Sequence, residues 1–377
     1  MSLTLPADTI AAATEAESRI TVASQRQLIW WRFRKHRLAV ASLAVVAFFY
    51  LIAVFADTLA VTPPWDTQAA RGYIPPQPIH WLDDAQFHPY VNGLKGKRDL
   101  RTFKLSYAPD PAEKRYLVLF AHGFSYRLFG VIPTDIHLLG VSDGHPENAL
   151  FLLGTDQLGR DLFSRLVLAT RTSLTIGLLG VAMSLVLGVL LGGMSGLYGG
   201  WADIGIQRLI EILRSIPTIP LWMGLAAAVP ASWPPVRVYF AITLIISLIG
   251  WTELARVVRG RFLALREEDF ITAAELAGAS RMRIIFRHMV PSFLSHIIAA
   301  ISLALPAMII SETTLSFLGL GLRPPAISWG VLLQDAQNLQ TLALAPWLLF
   351  AAIPVIVVIL AFNFLGDGLR DAADPYG

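Results

Sequence analysis

The stretch Phe270-Ile271-Thr272-Ala273-Ala274-Glu275-Leu276-Ala277-Gly278-Ala279-Ser280-Arg281-Met282-Arg283-Ile284-Ile285-Phe286-Arg287-His288-Met289-Val290-Pro291 lies between two long apolar segments. Ala273 and Ala277 are four apart, as are Ala274 and Gly278. Residues at that spacing share a helix face. This face has almost no side-chain bulk, so another surface can approach the backbone closely. Gly278 is placed to end the helix in a left-handed conformation. Ser280 is placed to cap a second short helix, and Pro291 marks the return to apolar sequence. The pattern predicts a helix–turn–helix elbow. An ordinary solvated connecting loop fits the same residues equally well.

The chain around this stretch is apolar. Of its 377 residues 55% are hydrophobic and 15% charged. Soluble domains carry about 25% charged residues, so this composition asks for lipid. The net charge is +3, and no basic run is dense enough to form a phosphate-binding face, which excludes nucleic acid as a partner. With no cysteine there are no disulfides, thiol nucleophiles or Cys-ligated metals. The first 37 residues are polar and end in a basic cluster. They show no short apolar core followed by a small-residue cleavage site, so no removable signal peptide is expected.

A helix needs about 20 apolar residues to cross about 30 Å of hydrocarbon. Six stretches qualify: Leu38–Leu59, Ser173–Tyr198, Ile212–Val229, Val238–Leu254, His296–Phe317 and Ala345–Leu365. Pro217, Pro220, Pro306 and Pro354 fall inside them. Proline is tolerated in a span when neighbouring helices satisfy the freed carbonyls. The expected fold is therefore an all-α membrane protein, a packed bundle of six transmembrane helices. Short loops rich in Lys and Arg face the cytoplasm. The loop after the fourth span carries Arg256, Arg259, Arg261, Arg266, Arg281, Arg283 and Arg287, whereas Arg237 and Arg323 are the basic residues of the short loops opposite. Both termini are then cytoplasmic. The expected organisation is a cytoplasmic segment 1–37, helix one 38–60, an extracytoplasmic insert with a lead-in helix 61–172, a core of five helices 173–366 containing the cytoplasmic loop 257–291, and a cytoplasmic tail 367–377.

The insert reads as small and β-rich. Thr102 to Tyr107 alternates, Pro109-Asp110-Pro111 signals a turn, and Tyr116 to Ala121 is a second candidate strand. Tyr126 to Ile132 and Ile136 to Val141 add two more. The insert is either a docking surface for a soluble partner or a cap over the bundle.

Three other features suggest chemistry. Gly154-x4-Gly159-Arg160-Asp161 has the outline of a phosphate-binding loop, but Lys and Ser/Thr are missing where that loop needs them. Thr155 or Asp156 as a helix N-cap is the plainer expectation, and any ATP must bind another subunit. Gly193-Met194-Ser195-Gly196 is similar to the serine motif of rhomboid-type intramembrane proteases, with His296 as the base it would require. Close helix packing explains that glycine-rich stretch more simply. Glu211, Glu253 and Glu312 sit at span ends, where pairing with Arg208, Arg214 or Arg256 is expected in preference to a proton relay. Asp57 is expected to reach the surface. The eight His are scattered, without metal-ligand spacing.

The elbow stretch resembles the coupling-loop motif of ABC-importer permeases: Glu-Ala-Ala, three residues, Gly, nine residues, Ile-x-Leu-Pro. It stands here as Thr272-Ala273-Ala274, Gly278 and His288-Met289-Val290-Pro291. Thr272 replaces the family's frequent Glu, which would sit near N3 behind an Asp269 cap, and His288 replaces Ile. Thr is the poorer partner in a capping box, so either the helix start is weaker or Glu268 compensates. The Phe286-Arg287-His288-Met289-Val290-Pro291 run resembles the dipeptide/oligopeptide/nickel subfamily. So do Gly154 to Arg165, Glu312 to Gly321 with Pro324-Pro325 and Ser328-Trp329-Gly330, and Asn363 to Ala372 with Asp374-Pro375. The likeness covers 152–377 strongly, 28–59 weakly, and little of the insert. It points to the C-type subunit of the permease pair.

This resemblance implies a type I ABC-importer core in a bacterial cytoplasmic (inner) membrane. It implies a second homologous permease, two ATP-binding subunits, separate or fused, that hold ATP and Mg, and an extracytoplasmic solute-binding protein, all against membrane lipid. The chain itself would carry no cofactor and catalyse nothing. The implied ATPase-coupling residues are Phe270, Thr272, Ala273, Ala274, Glu275, Gly278, Ala279, Ser280, Arg283 and Pro291. Peptides or peptide-like solutes are the implied cargo. A secondary, ion-coupled transporter and a six-span serine protease using Ser195 and His296 are the alternatives.

Overall fold

The computed structural model describes residues 25–84, 86–98, 105–142, 150–230 and 232–373. Helix α1 (Gln25–Lys35) hands over to α2 (Arg37–Val54) at His36, whose Nδ1 accepts the Ala39 amide at 3.1 Å. A short α3 (Ala56–Leu59) follows. The longer helices that follow are α4 (Leu162–Tyr198), α5 (Gly200–Ser215), α6 (Thr218–Ala227), α7 (Pro235–Leu265), α8 (Asp269–Leu276), α9 (Leu294–Phe317), α10 (Trp329–Asp335) and α11 (Ala352–Ala373).

Among the described residues five helices are long and apolar enough to cross a membrane, and there are six spans if α5 and α6 count as one. Those two meet at 89°, so the third expected span is not a single straight helix. The cause is Pro217. Its ring pushes the preceding residue out of the helical region, and Ile216 sits at φ −90°, ψ 129°. Pro220 does no such damage, because it lies in the first turn of α6, where an N–H is not needed. The second span begins well before Ser173. Asp161, rather than Thr155 or Asp156, caps α4, its Oδ2 accepting the Ser164 amide at 2.7 Å.

Helices α4 and α7 are packed with their backbones nearly in contact. A Cβ at Gly192 would lie 2.5 Å from the Ala255 carbonyl oxygen, and one at Gly196 would lie 2.6 Å from Phe262 Cβ. Small residues at every fourth position allow that approach, so the glycine-rich run is a packing seam. Helix α11 closes the bundle against α9 and α2, over a core that includes Phe33, Val46, Trp329, Val358 and Phe362.

The insert is a four-stranded antiparallel sheet in the order β1-β2-β3-β4, with β1 Ile79–Asp83, β2 Gln86–Arg98, β3 Leu105–Leu128 and β4 Ile132–Val141. Pro109-Asp110-Pro111 does not turn the chain. The pairing passes from Asn92–Lys114 to Gly93–Asp110, so Pro111 lies in a bulge, where a missing N–H costs no ladder bond, and Pro109 stands in the strand beside it, opposite Leu94. The two strands expected either side of it, Leu105 to Tyr107 and Tyr116 to Ala121, are one strand. Residues 102–104 of the first lie outside the described residues. Tyr126 to Leu128 ends β3, and Ile136 to Val141 belongs to β4. Strands β1 and β2 had no signal in the sequence, because Pro89, Gly93 and Gly96 interrupt any alternation.

Candidate functional site

The elbow has two unlike faces. Ile271, Ile284, Ile285 and Met289 are buried against Val189 and Leu197 of α4, Val258 and Phe262 of α7, and Ile297 of α9. This apolar anchor fixes the elbow to the two packed helices. On the other side Phe270, Leu276, Met282 and Phe286 are exposed, Leu276 by 86%. Ala273, Ala277 and Gly278 share that exposure, while Ala274 and Ala279 lean on the anchor. The expected small face is thus divided: one half is presented outward and the other is packed.

The local chemistry follows the sequence closely at the turn. Gly278 sits at φ +76°. Its amide bonds the Glu275 carbonyl at 2.9 Å, and the Ala279 amide bonds the Ala274 carbonyl at 3.0 Å. This pair of bonds ends a helix with its carbonyls satisfied. A Cβ on Gly278 would meet nothing within 4 Å, so glycine is required there by backbone conformation and not by space. Ser280 caps the next turn, Arg281–Arg283, by accepting the Arg283 amide at 3.4 Å, and Glu275 pairs with Arg281 at 2.6 Å. The chain then widens into one π-turn over Ile284–Met289, and exposed Pro291 sits in the short helix that precedes α9. The N-cap of α8 is Glu268, which makes no side-chain capping bond, and Asp269 is the first helical residue. Thr272 lies beyond N3, donating back to the Glu268 carbonyl at 3.5 Å, so no capping box forms.

At the far end of α4 the segment from Gly154 to Arg165 forms a buried charge knot. Asp156 accepts the Leu158 and Arg160 amides at 2.9 and 3.0 Å, the Arg160 Nε at 2.6 Å, and Arg165 Nη1. Arg165 is 1% exposed and reaches Asp335 at 3.1 Å, tying α4 to the end of α10. Thr155 donates to the Arg71 carbonyl at 2.7 Å and accepts the Ile74 amide at 2.8 Å. The segment with the outline of a phosphate loop thus has its Thr155, Asp156 and Arg160 side chains bonded internally. Burial pushes the Asp161 carboxyl up to about 6, and its Oδ1 has no hydrogen-bond partner.

The span-end acids divide. Glu211 pairs with Arg208 at 2.7 Å and Glu253 pairs with Arg214, as expected. Glu312 does not pair with an arginine. It is fully buried, with Ser173 and Ser316 each donating to it at 2.9 Å and Ser328 as a third donor. The Ser173 and Ser316 oxygens themselves accept the Trp329 and Leu322 amides at 3.2 and 3.0 Å. Glu312 therefore fastens α4, α9 and α10 together. Asp57 is partly exposed and paired with Arg171 at 2.8 Å. The protease pairing is not assembled: Ser195 Oγ contacts Asp203 at 2.5 Å and Gln207 at 3.1 Å, while exposed His296 contacts Arg261. A cavity of about 600 Å³ opens between α4, α7 and α9, with Ser184, Thr218, Thr252 and the Arg214–Glu253 pair in its wall.

Comparison with known proteins adds the following. Residues 185–376 match the family described as "Binding-protein-dependent transport system inner membrane component". Residues 24–76 match the "N-terminal TM domain of oligopeptide transport permease C". Over 224 residues, 59% of this chain and 72% of the relative, the chain is 39% identical to the glutathione transport system permease protein GsiD of Pectobacterium atrosepticum. It is 40% identical to the oligopeptide transport system permease protein OppC of Haemophilus influenzae, over 59% of this chain and 69% of that one. It is 39% identical to the dipeptide transport system permease protein DppC of Alkalihalophilus pseudofirmus, over 59% and 71%. An inward-facing MetNI methionine ABC transporter structure aligns at TM-score 0.41 and 18% identity over 55% of this chain and 96% of that one, a likeness too slight to build on.

Proposed function

We propose the following function from the premise that this chain belongs to the family of inner membrane components of binding-protein-dependent transport systems. It is a transmembrane permease subunit of an ATP-driven importer of peptides or peptide-like solutes. The similarity to oligopeptide, dipeptide and glutathione permeases supports that cargo class. In this reading both termini and the elbow are cytoplasmic and the sheet is extracytoplasmic. The chain pairs with a second homologous permease. Two ATP-binding subunits hold ATP and Mg below it, and a solute-binding protein delivers cargo from outside. The cavity between α4, α7 and α9 is this chain's wall of the path.

The observation that carries the proposal is the division of the elbow. Its buried face joins α4 and α7, and its exposed face presents Phe270, Leu276, Met282 and Phe286 with no covering element among the described residues. An apolar patch left open beside a membrane bundle marks an interaction site. Closure of the ATP-binding subunits would drag the exposed face, and the anchor would pass the motion to the spanning helices as a rigid body. Phe270, Thr272, Ala273, Ala274, Glu275, Gly278, Ala279, Ser280, Arg283 and Pro291 are the residues proposed to shape this contact.

The test is purification of the complex through a tag on this chain. Leu276→Asp is expected to keep the chain in the membrane and to lose most of the ATP-binding subunits. Recovery of both at wild-type ratio would show that the elbow is not the docking site. A bulky residue at Gly278 is expected to uncouple ATP hydrolysis from solute, and undiminished solute-stimulated ATPase of the whole complex would refute that role.

A further inference from the structure

The sheet meets the end of the first span at the β3–β4 hairpin, and that hairpin has an apolar tip. Strand β3 ends at Leu128 and β4 begins at Ile132, joined by Phe129, Gly130 and Val131. Phe129, Val131 and Ile132 are all exposed, Val131 by 76%. The backbone is organised to present them. Phe129 is held at φ +54°, uncommon for a bulky residue, and the Gly130 and Val131 amides bond the Arg127 and Leu128 carbonyls at 3.0 and 3.1 Å. Arg127, just before the tip, is also exposed.

The depth of this tip is fixed by its neighbours. The Phe129 ring lies 5.9 Å from the ring of Phe55, the residue that follows the last turn of α2. The Tyr126 hydroxyl donates to the Ile136 carbonyl at 2.7 Å and lies 2.9 Å from Thr58 Oγ1 of α3. The hydrocarbon face of α2 runs continuously up to this point through exposed Phe48, Leu51 and Val54. At the same level, Arg171 pairs with Asp57 and donates to the Ala53 carbonyl at 2.7 Å, which marks where polar contacts begin. The hairpin tip is thus level with the end of the span. Aromatic residues at that level favour the headgroup layer, and a neighbouring Arg meets lipid phosphate there.

We propose that Phe129, Val131 and Ile132 are inserted in the headgroup layer of the bilayer that α2 crosses, so that the β3–β4 hairpin holds the sheet down on lipid. The occupant of this apolar surface is the membrane itself, because the surface continues the lipid-facing side of α2. The other end of the sheet projects away from this contact: Lys95 pairs with Ala108, far along β3 from the tip.

The absence of cysteine from the chain allows a direct test. Val131→Cys and Lys95→Cys, each carrying a nitrobenzoxadiazole fluorophore, are reconstituted as full chain with its partner subunits in nanodiscs of phosphatidylethanolamine and phosphatidylglycerol. The expected result is a blue-shifted probe at position 131, quenched several-fold more by acyl-chain spin-labelled lipid than by iodide, and the reverse preference at position 95. Quenching by iodide at 131 would place the tip in water and overturn the proposal. Protection from both quenchers would mean that a protein covers it, and lipid quenching at both positions would mean unspecific adsorption. Either of these also overturns it.

Discussion

The charge knot at one end of α4 and the elbow at the other are both written as short, recognisable sequence motifs, and they spend their residues in opposite ways. In the knot Thr155, Asp156, Arg160, Asp161 and Arg165 are turned inward and bonded to one another, to backbone amides and to Asp335. In the elbow half of the side chains are turned outward, and even Gly278 has open space around it. A motif consumed by its own fold reports on assembly of the chain. A motif whose side chains remain open reports on another molecule.

That contrast predicts a graded response of folding to mutation. The greatest loss is expected for Arg165→Met, which leaves Arg160 as the one cation shared by buried Asp156 and half-buried Asp335. The cost is expected near the lower end for breaking a buried pair, about 3 kcal/mol, measurable as a lowered unfolding midpoint in detergent. An unchanged midpoint would erase the distinction between the two motifs. Next comes the pH dependence of Asp161. Its folded pKa is raised, so the native state binds the proton more tightly than the unfolded chain does. The stability this lends is full below the ordinary carboxyl pKa and is lost as pH rises through about 6. Measured against Asp161→Asn, the wild type should lose about 2 kcal/mol between pH 4 and 7. A flat difference would mean that the carboxyl finds a cation in the assembled state.

Smaller effects are expected at the elbow. Gly278→Ala introduces a left-handed L-residue but no clash, costing about 1–2 kcal/mol, to be read by faster amide exchange across Ala274–Ala279. A cost well beyond that would indicate packing against something close by. The smallest folding effect belongs to Leu276→Asp, within about 0.5 kcal/mol, although the same change is expected to release the ATP-binding subunits. Loss of stability there would sharpen the comparison in the other direction, by showing that the exposed face also serves the fold.

Much of this was legible in the residues. Hydropathy located the apolar helices, and Gly278 and Ser280 announced the helix end and cap at their positions, because both are local events set by a few neighbouring residues. What stayed hidden depended on distance or direction. Pro217 signalled an interruption, but its 89° angle depends on how α5 and α6 pack. Glu312 read as a span-end acid, since its donors Ser173 and Ser328 come from distant segments. Asp156 read as a cap, but the inward course of its loop turns it onto Arg160 and Arg165, and the far end of that network, Asp335, comes from a distant segment. Pro109 and Pro111 carried a turn signal that a bulge satisfies as well.

The seam of glycines along α4 and α7 has a mechanical consequence. With 37 residues α4 is a rod about 55 Å long, at 1.5 Å per residue. Its fusion to α7 leaves the pair little freedom to bend independently. Rotation of such a rod by about 5° moves its tip by about 5 Å, an amplitude comparable with one helical pitch. The elbow is attached to one end of this lever and the charge knot to the other. A small angular displacement at the elbow end would therefore reach the charge-knot end as a movement large enough to pull packed surfaces away from each other.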